Sequence, residues 1–66
     1  MRVRLNGKER EVPAGLSVKG LLEWLELNPL LVVVERNREI LARETFADVI
    51  VEENDQLELV HFVGGG

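Results

Sequence analysis

The sequence predicts an α+β fold of two layers, in which one main helix packs across one face of a small mixed β-sheet. Three observations predict it: an alternating first segment with an Asn-Gly pair, one segment with helical spacing of apolar residues, and three short apolar runs after it. With 66 residues the chain has room for a single hydrophobic core, and its 45% hydrophobic content is typical of a folded domain.

The first element is a β-hairpin over residues 2–12. Val3 and Leu5 alternate with polar residues, as in a strand with one buried face. Asn6-Gly7 follows, and this pair is the strongest short-range hairpin signal because both residues readily take positive φ. The sequence therefore predicts two antiparallel strands joined by a tight turn.

The second element is an amphipathic helix that begins after Ser17, a residue suited to cap the first turn with its hydroxyl. We expect Asn28-Pro29 to stop the helix, because the residue before proline disfavours the α region. The apolar side chains recur at i, i+3, i+4 and i+7, and therefore share one face of the helix. They are Val18, Leu21, Leu22 and Leu25.

Three further strands are predicted, with Phe46 as the core anchor of the segment that connects the second of them to the third. The last strand can lie beside the first one in a mixed sheet. We expect a folded domain over residues 1–63 and a flexible glycine tail over residues 64–66. The strands cover residues 31–35, 39–42 and 57–63.

Composition and charge exclude several classes of function. The absence of cysteine excludes disulfides, zinc–thiolate sites and thiol catalysis. A net charge of −4 disfavours nucleic-acid binding and suits docking onto a more basic partner. No segment resembles a secretory signal or a membrane span, so we expect a soluble, cytoplasmic protein that does not bind a membrane.

The sequence offers no group for catalysis or for holding a cofactor. His61 is the single histidine, and no serine or cysteine stands near it. Phosphate-binding glycine loops are missing. The acidic residues Asp48, Glu52, Glu53 and Asp55 lack the spacing of a calcium loop. We therefore expect no catalytic residue, no metal and no cofactor bound by the chain itself.

The last strand predicts a docking surface on the sheet. If Leu57 and Leu59 face the helix, alternation places Val60 and Phe62 on the outside. The same alternation, applied to the middle strand, places Val33 inside and its two neighbours outside. The predicted docking patch is Val32, Val34, Val60 and Phe62. An exposed apolar patch can mark a partner site, but scattered surface valines or a homodimer contact remain alternatives.

Three stretches together resemble the ThiS family of sulfur carriers for thiamin thiazole synthesis, which has the ubiquitin-like β-grasp fold. They are "MRVRLNGKEREVPAGLSVKGLLEWL", "VVVERNREILARETF" and "ENDQLELVHFVGGG". The most specific parts are the N-x-E-I-x-x-R-E spacing from Asn37 to Glu44, the acidic turn before the last strand and the glycine end. The chain departs from the family in two places, with Asn37-Arg38 where Asn-Gly is common and with a third glycine, Gly64.

The resemblance implies a protein cosubstrate rather than an enzyme. An E1-like adenylyltransferase (ThiF-like) would use ATP to adenylate the carboxylate of Gly66, with Gly64 and Gly65 completing the tail. A sulfur-donating enzyme would then supply sulfur for a thiocarboxylate, which a ThiG-like thiazole synthase would consume. Three alternatives stay open: a MoaD-like carrier for molybdopterin synthesis, a ubiquitin-like modifier joined to lysine amines, and an interaction module whose glycines are incidental.

Overall fold

The computed structural model describes residues 1–62, so the end of the predicted last strand and the glycine tail lie outside the described residues. Every predicted helix and strand is present within this part of the chain. Single turns of 3₁₀ helix cover Pro29–Leu31 and Arg43–Thr45. The main elements are β1 (Arg2–Leu5), β2 (Lys8–Glu11), α1 (Val18–Trp24), β3 (Val32–Arg36), β4 (Glu39–Ile40) and β5 (Gln56–His61).

The strands form one mixed sheet in the order β2-β1-β5-β3-β4. β1 and β2 pair antiparallel, as do β3 with β4 and β3 with β5, whereas β1 and β5 run parallel. The last strand therefore lies in the centre of the sheet. This confirms the predicted neighbourhood of the first and last strands.

One hydrophobic core fills the space between the sheet and α1. The helix contributes Val18, Leu21 and Leu22, three of the four residues that its spacing predicted, and Leu25 packs against the core at its margin. Phe46 is 3% exposed, so the predicted anchor of the connecting segment is confirmed. Within residues 1–62, no helix has both the length and the apolar character needed to cross a membrane.

Ser17 caps α1 as predicted, since its hydroxyl accepts a hydrogen bond from the N–H of Gly20 at 3.0 Å. The predicted end of the helix is wrong. Glu26 takes a positive φ of 62°, and the N–H groups of Glu26 and Leu27 bond to the carbonyls of Glu23 and Leu22. These two bonds form a Schellman motif, which ends the helix before the proline. Asn28 instead caps the following 3₁₀ turn through a 2.9 Å bond to the N–H of Leu30.

Two tight turns join neighbouring strands with the same backbone geometry. In the β1–β2 turn, Asn6 has φ 49° and Gly7 has φ 82°. In the β3–β4 turn, Asn37 has φ 51° and Arg38 has φ 72°. Positive φ at both central residues is the requirement of a type I′ turn, which glycine meets without steric cost and arginine does not. The second turn therefore holds backbone strain at Arg38.

We expect Arg38→Gly to raise the free energy of unfolding by about 0.5–1 kcal/mol, because the relief of strain exceeds the extra entropy of an unfolded glycine. The converse change Gly7→Arg should lower it by about 1 kcal/mol. An added Cβ at Gly7 meets no atom within 4 Å, so the cost there comes from the backbone alone. Urea unfolding of both variants measures the effects, and an unchanged or lower midpoint for Arg38→Gly would contradict the strained turn.

Candidate functional site

β5 leads into the glycine tail and is held by backbone hydrogen bonds on both of its edges. Five residue pairs align it with β3, from Arg36 opposite Leu57 to Val32 opposite His61. On the other edge, the N–H of Asn6 bonds to the carbonyl of Leu57 at 2.9 Å. A 2.8 Å bond from the N–H of Phe62 to the carbonyl of Leu31 continues the β3 side. The strand before the tail is therefore fixed in direction.

The side chain of Asn6 extends the support of β5 beyond the end of β1. Its Oδ1 accepts a hydrogen bond from the N–H of Leu59 at 2.7 Å, and its Nδ2 donates to the carbonyl of the same residue at 3.3 Å. The amide group thus takes the place that the backbone of a longer β1 would have. The hairpin residue predicted from its turn propensity has this second role, which turn statistics alone do not indicate.

A polar cluster fixes the turn that precedes β5. The carboxylate of Asp55, which is 5% exposed, accepts a 2.8 Å hydrogen bond from Nε of Arg36 and a 3.1 Å bond from Nδ2 of Asn37. It also accepts a 2.8 Å bond from the N–H of Glu52. Oδ1 of Asn37 in turn accepts a hydrogen bond from the N–H of Gln56 at 2.9 Å. The cluster therefore ties the β3–β4 turn to the first residue of β5.

These hydrogen bonds control the charge of Asp55. Burial by itself would raise the pKa of this carboxyl group. The bonds from the N–H of Glu52 and from the side chains of Arg36 and Asn37 outweigh burial, so the net result is a pKa below the ordinary value of 3.8. Asp55 is therefore an anion at neutral pH, and its charge stabilises the turn before β5.

The predicted docking patch is wrong in its two middle-strand residues. Val32 and Val34 are both 0% exposed and belong to the hydrophobic core. Val33, which was expected to point inward, is only partly buried and lies opposite Val60. Residues directly opposite in a sheet share a face, so Val33 and Val60 lie together on the face away from α1.

The error arose because three consecutive valines carry no signal of which one faces the core. Glu35 would have settled the alternation, since a charged residue in this strand points to solvent and Val33 lies on the same face as Glu35. The exposure predicted for the other two residues is confirmed: Val60 is 56% exposed and Phe62 is 54% exposed. Leu57 is buried and Leu59 packs at the core margin, as expected.

The exposed and half-buried apolar residues on this face form a corrected patch, here called the outer patch. Ile40 was missed by the sequence analysis, although it lies opposite Glu35 and is 72% exposed. Glu35 also lies opposite Glu58, so two like charges face each other beside the patch. Such a pair is destabilising in the free protein and suits a cationic partner group. The outer patch consists of Val33, Ile40, Val60 and Phe62.

His61 is exposed at the end of β5. Within residues 1–62, no group of three or more histidine, aspartate or glutamate side chains is placed to hold a metal ion. Gly64, Gly65 and Gly66, the predicted tail and adenylation site, lie outside the described residues.

A family model described as the ThiS family matches residues 3–66. The chain belongs to the ThiS family. Two relatives are named sulfur carrier protein ThiS. The one from Bacillus subtilis is 38% identical over 65 residues, which are 97% of this chain and 98% of that protein. The one from Escherichia coli is 32% identical over 66 residues, which are 100% of both.

A solved structure confirms the β-grasp fold that membership of the ThiS family implies. The crystal structure of a thiamine biosynthesis protein (ThiS) from Geobacter metallireducens matches with a TM-score of 0.83 at 38% identity, and the match covers 100% of both chains. A thiazole synthase from Magnetococcus marinus is 44% identical over all 66 residues. This ThiS-family chain spans only 20% of that thiazole synthase.

We expect Asp55→Asn to lower the free energy of unfolding by about 1–3 kcal/mol near neutral pH, because one acceptor oxygen of the cluster becomes an NH₂ group and the negative charge is lost. A lowered folded-state pKa means that the stabilisation is complete above the unfolded-state pKa and is lost as pH falls through the folded-state pKa. The difference between the two proteins should therefore shrink in acid. Urea unfolding over a pH series measures it, with Glu53→Gln in the same turn as control. A difference independent of pH would contradict the role of the charge.

Proposed function

We propose that this chain, a sulfur carrier of the ThiS family in thiamin biosynthesis, carries its sulfur on the terminal carbonyl of Gly66 and acts as a cosubstrate of partner enzymes. The observation that carries the proposal is the central position of β5, whose two hydrogen-bonded edges fix the strand from which the tail continues. The family match over residues 3–66 includes the glycines. The chain supplies the acyl group, and the partners supply the catalytic groups.

The chemistry starts from an unreactive carboxylate. One of its oxygens would attack the α-phosphorus of ATP in an E1-like adenylyltransferase, and pyrophosphate would leave. A sulfur nucleophile would then displace AMP from the acyl adenylate. ATP belongs to the activating enzyme in this scheme, and the chain itself holds no cofactor. A thiazole synthase would use the resulting thiocarboxylate, in agreement with the thiazole synthase of Magnetococcus marinus that contains a stretch similar to the whole chain.

Glycine suits a tail that must enter an enzyme. A channel that admits only a backbone can exclude water from the reactive acyl adenylate, because glycine has no Cβ. Three extended residues reach about 10 Å. Ordering each of them costs about 1–2 kcal/mol of backbone entropy. Binding elsewhere on the domain must offset this cost.

The outer patch is the surface that we propose for binding the adenylyltransferase. Val60 and Phe62 adjoin the tail in sequence and are more than half exposed. Glu35 and Glu58 lie opposite each other on the same face, so the complementary surface would present an apolar area with a cationic group beside it. Val32 and Val34, which lie in the core, are not part of this proposed binding surface.

We expect deletion of Gly66, or a tag added after it, to abolish adenylation, because the reacting carboxylate is lost or displaced. The measurement is ATP–pyrophosphate exchange with a cognate ThiF-like enzyme, followed by intact-mass analysis with a sulfur source. Wild type should exchange one oxygen for sulfur at its terminus. The midpoint of urea unfolding should not change in either variant.

Normal exchange by the tagged chain would refute adenylation at Gly66. A product joined to a lysine of another protein, without sulfur, would support the ubiquitin-like modifier instead. Both results are independent of the docking surface.

We expect Phe62→Asp and Val60→Asp each to weaken binding to the adenylyltransferase by more than about 1 kcal/mol, through lost apolar burial. Ile50→Asp is the matched control, because Ile50 is 50% exposed and lies outside the sheet, where it bridges to Ser17 beside α1. Calorimetry with the untagged chain measures the three affinities. Equal losses in all three variants, or none, would show that the outer patch is not the docking surface.

A further inference from the structure

A groove opens on the helix side of the sheet, on the opposite face from the outer patch. It has a volume of about 570 Å³ and lies between the β1–β2 hairpin, the end of α1 and the end of β5. Leu25, Leu27 and Leu59 line it, and each packs at the margin of the core. His61, the last residue of β5, also lines the groove. The proposed function makes no use of this surface.

The rim of the groove is cationic although the protein as a whole has a net charge of −4. Lys8 and Arg10 line the groove, and they lie opposite Leu5 and Val3, so both are on the helix side of β2. Neither forms an ion pair with another residue in the described part of the chain. Glu9 also lines the groove, but its carboxylate lies 3.9 Å from the guanidinium of Arg2.

Arg10 is partly ordered for binding. Its guanidinium carbon lies 5.4 Å from the centre of the Trp24 ring, a cation–π distance. The guanidinium forms no ion pair within residues 1–62, so its N–H groups stay available to bind a carboxylate in a bidentate manner. An ordered arginine loses less entropy on binding than a free one.

We propose that this groove binds a partner-protein segment that carries both acidic and apolar side chains. The apolar side chains would contact the three leucines, and the carboxylates would pair with Lys8 and Arg10. Charge complementarity selects this occupant, because the groove places two cations that form no ion pair within residues 1–62 beside an apolar surface. The groove and the outer patch lie on opposite faces, so two partners can bind at the same time.

The test is a titration of the isotope-labelled full chain, followed by NMR, with a short capped peptide that alternates leucine and aspartate. Amide shifts are expected at Lys8, Arg10, Leu27 and Leu59. A peptide that alternates leucine and lysine should bind at least about tenfold more weakly. The peptide does not involve the tail, so deletion of Gly66 should leave peptide binding unchanged. A failure of the peptide to bind the groove can therefore be distinguished from a failure of sulfur transfer.

Two pairs of charge reversals make the test specific. Lys8→Glu with Arg10→Glu should weaken binding of the acidic peptide about tenfold or more. Lys19→Glu with Arg38→Glu makes the same change in net charge outside the groove, and should stay within about twofold of wild type. If the first pair destabilises the hairpin, Lys8→Gln with Arg10→Gln replaces it.

The proposal is overturned if the peptide produces no shifts, if the shifts centre on the outer patch, or if both peptides bind equally. Equal loss in the two reversal pairs would also overturn it, because the effect would then be one of net charge. Shifts in the groove on concentrating the chain without peptide would assign the surface to a second copy of the chain instead.

Discussion

The insertion of β5 between β1 and β3 is the interaction on which the rest of the structure depends. The two hairpins, β1–β2 and β3–β4, have no direct pairing with each other in the sheet order. Within the sheet, the two hairpins are joined only through β5, which pairs with β1 on one edge and with β3 on the other. The buried residues of β1 and β3 reach a common core with Leu57 for the same reason. Two polar side chains support this arrangement: the amide of Asn6 binds Leu59 within β5, and the carboxylate of Asp55 fixes the turn that precedes the strand.

The same strand separates two surfaces of different chemistry. Alternation along β5 sends Val60 to the apolar outer patch and Leu59 to the cationic groove, so neighbouring residues serve opposite faces. In the proposed function the carrier passes between enzymes and would need to be recognised by more than one of them. Two faces with distinct character would allow separate recognition without competition for one surface.

Local signals in the sequence were sufficient for most of the fold. Asn6-Gly7 and Ser17 act through their own backbone neighbourhood, so their roles as turn and cap could be predicted from residue type alone. The end of α1 could not, because Glu26 takes a conformation that is usual for glycine. The prediction of which face Val32, Val33 and Val34 take was wrong for another reason: three successive valines carry no polar–apolar alternation, and the deciding signal lies in the next residue, Glu35. The contact of Asn6 with Leu59 joins distant parts of the chain and has no local signature.

The parallel pairing of β1 with β5 also governs how the protein reaches its native state. Leu5 and Leu57 are register partners from opposite ends of the described chain. The long segment between them must therefore close into a loop, at a cost in entropy, before their contact can stabilise the fold. Each hairpin involves short loops and can form early, whereas the central strand must arrive late. We therefore expect slow, cooperative folding in which secondary structure precedes the assembled core, and in which detaching one strand releases both halves of the sheet together.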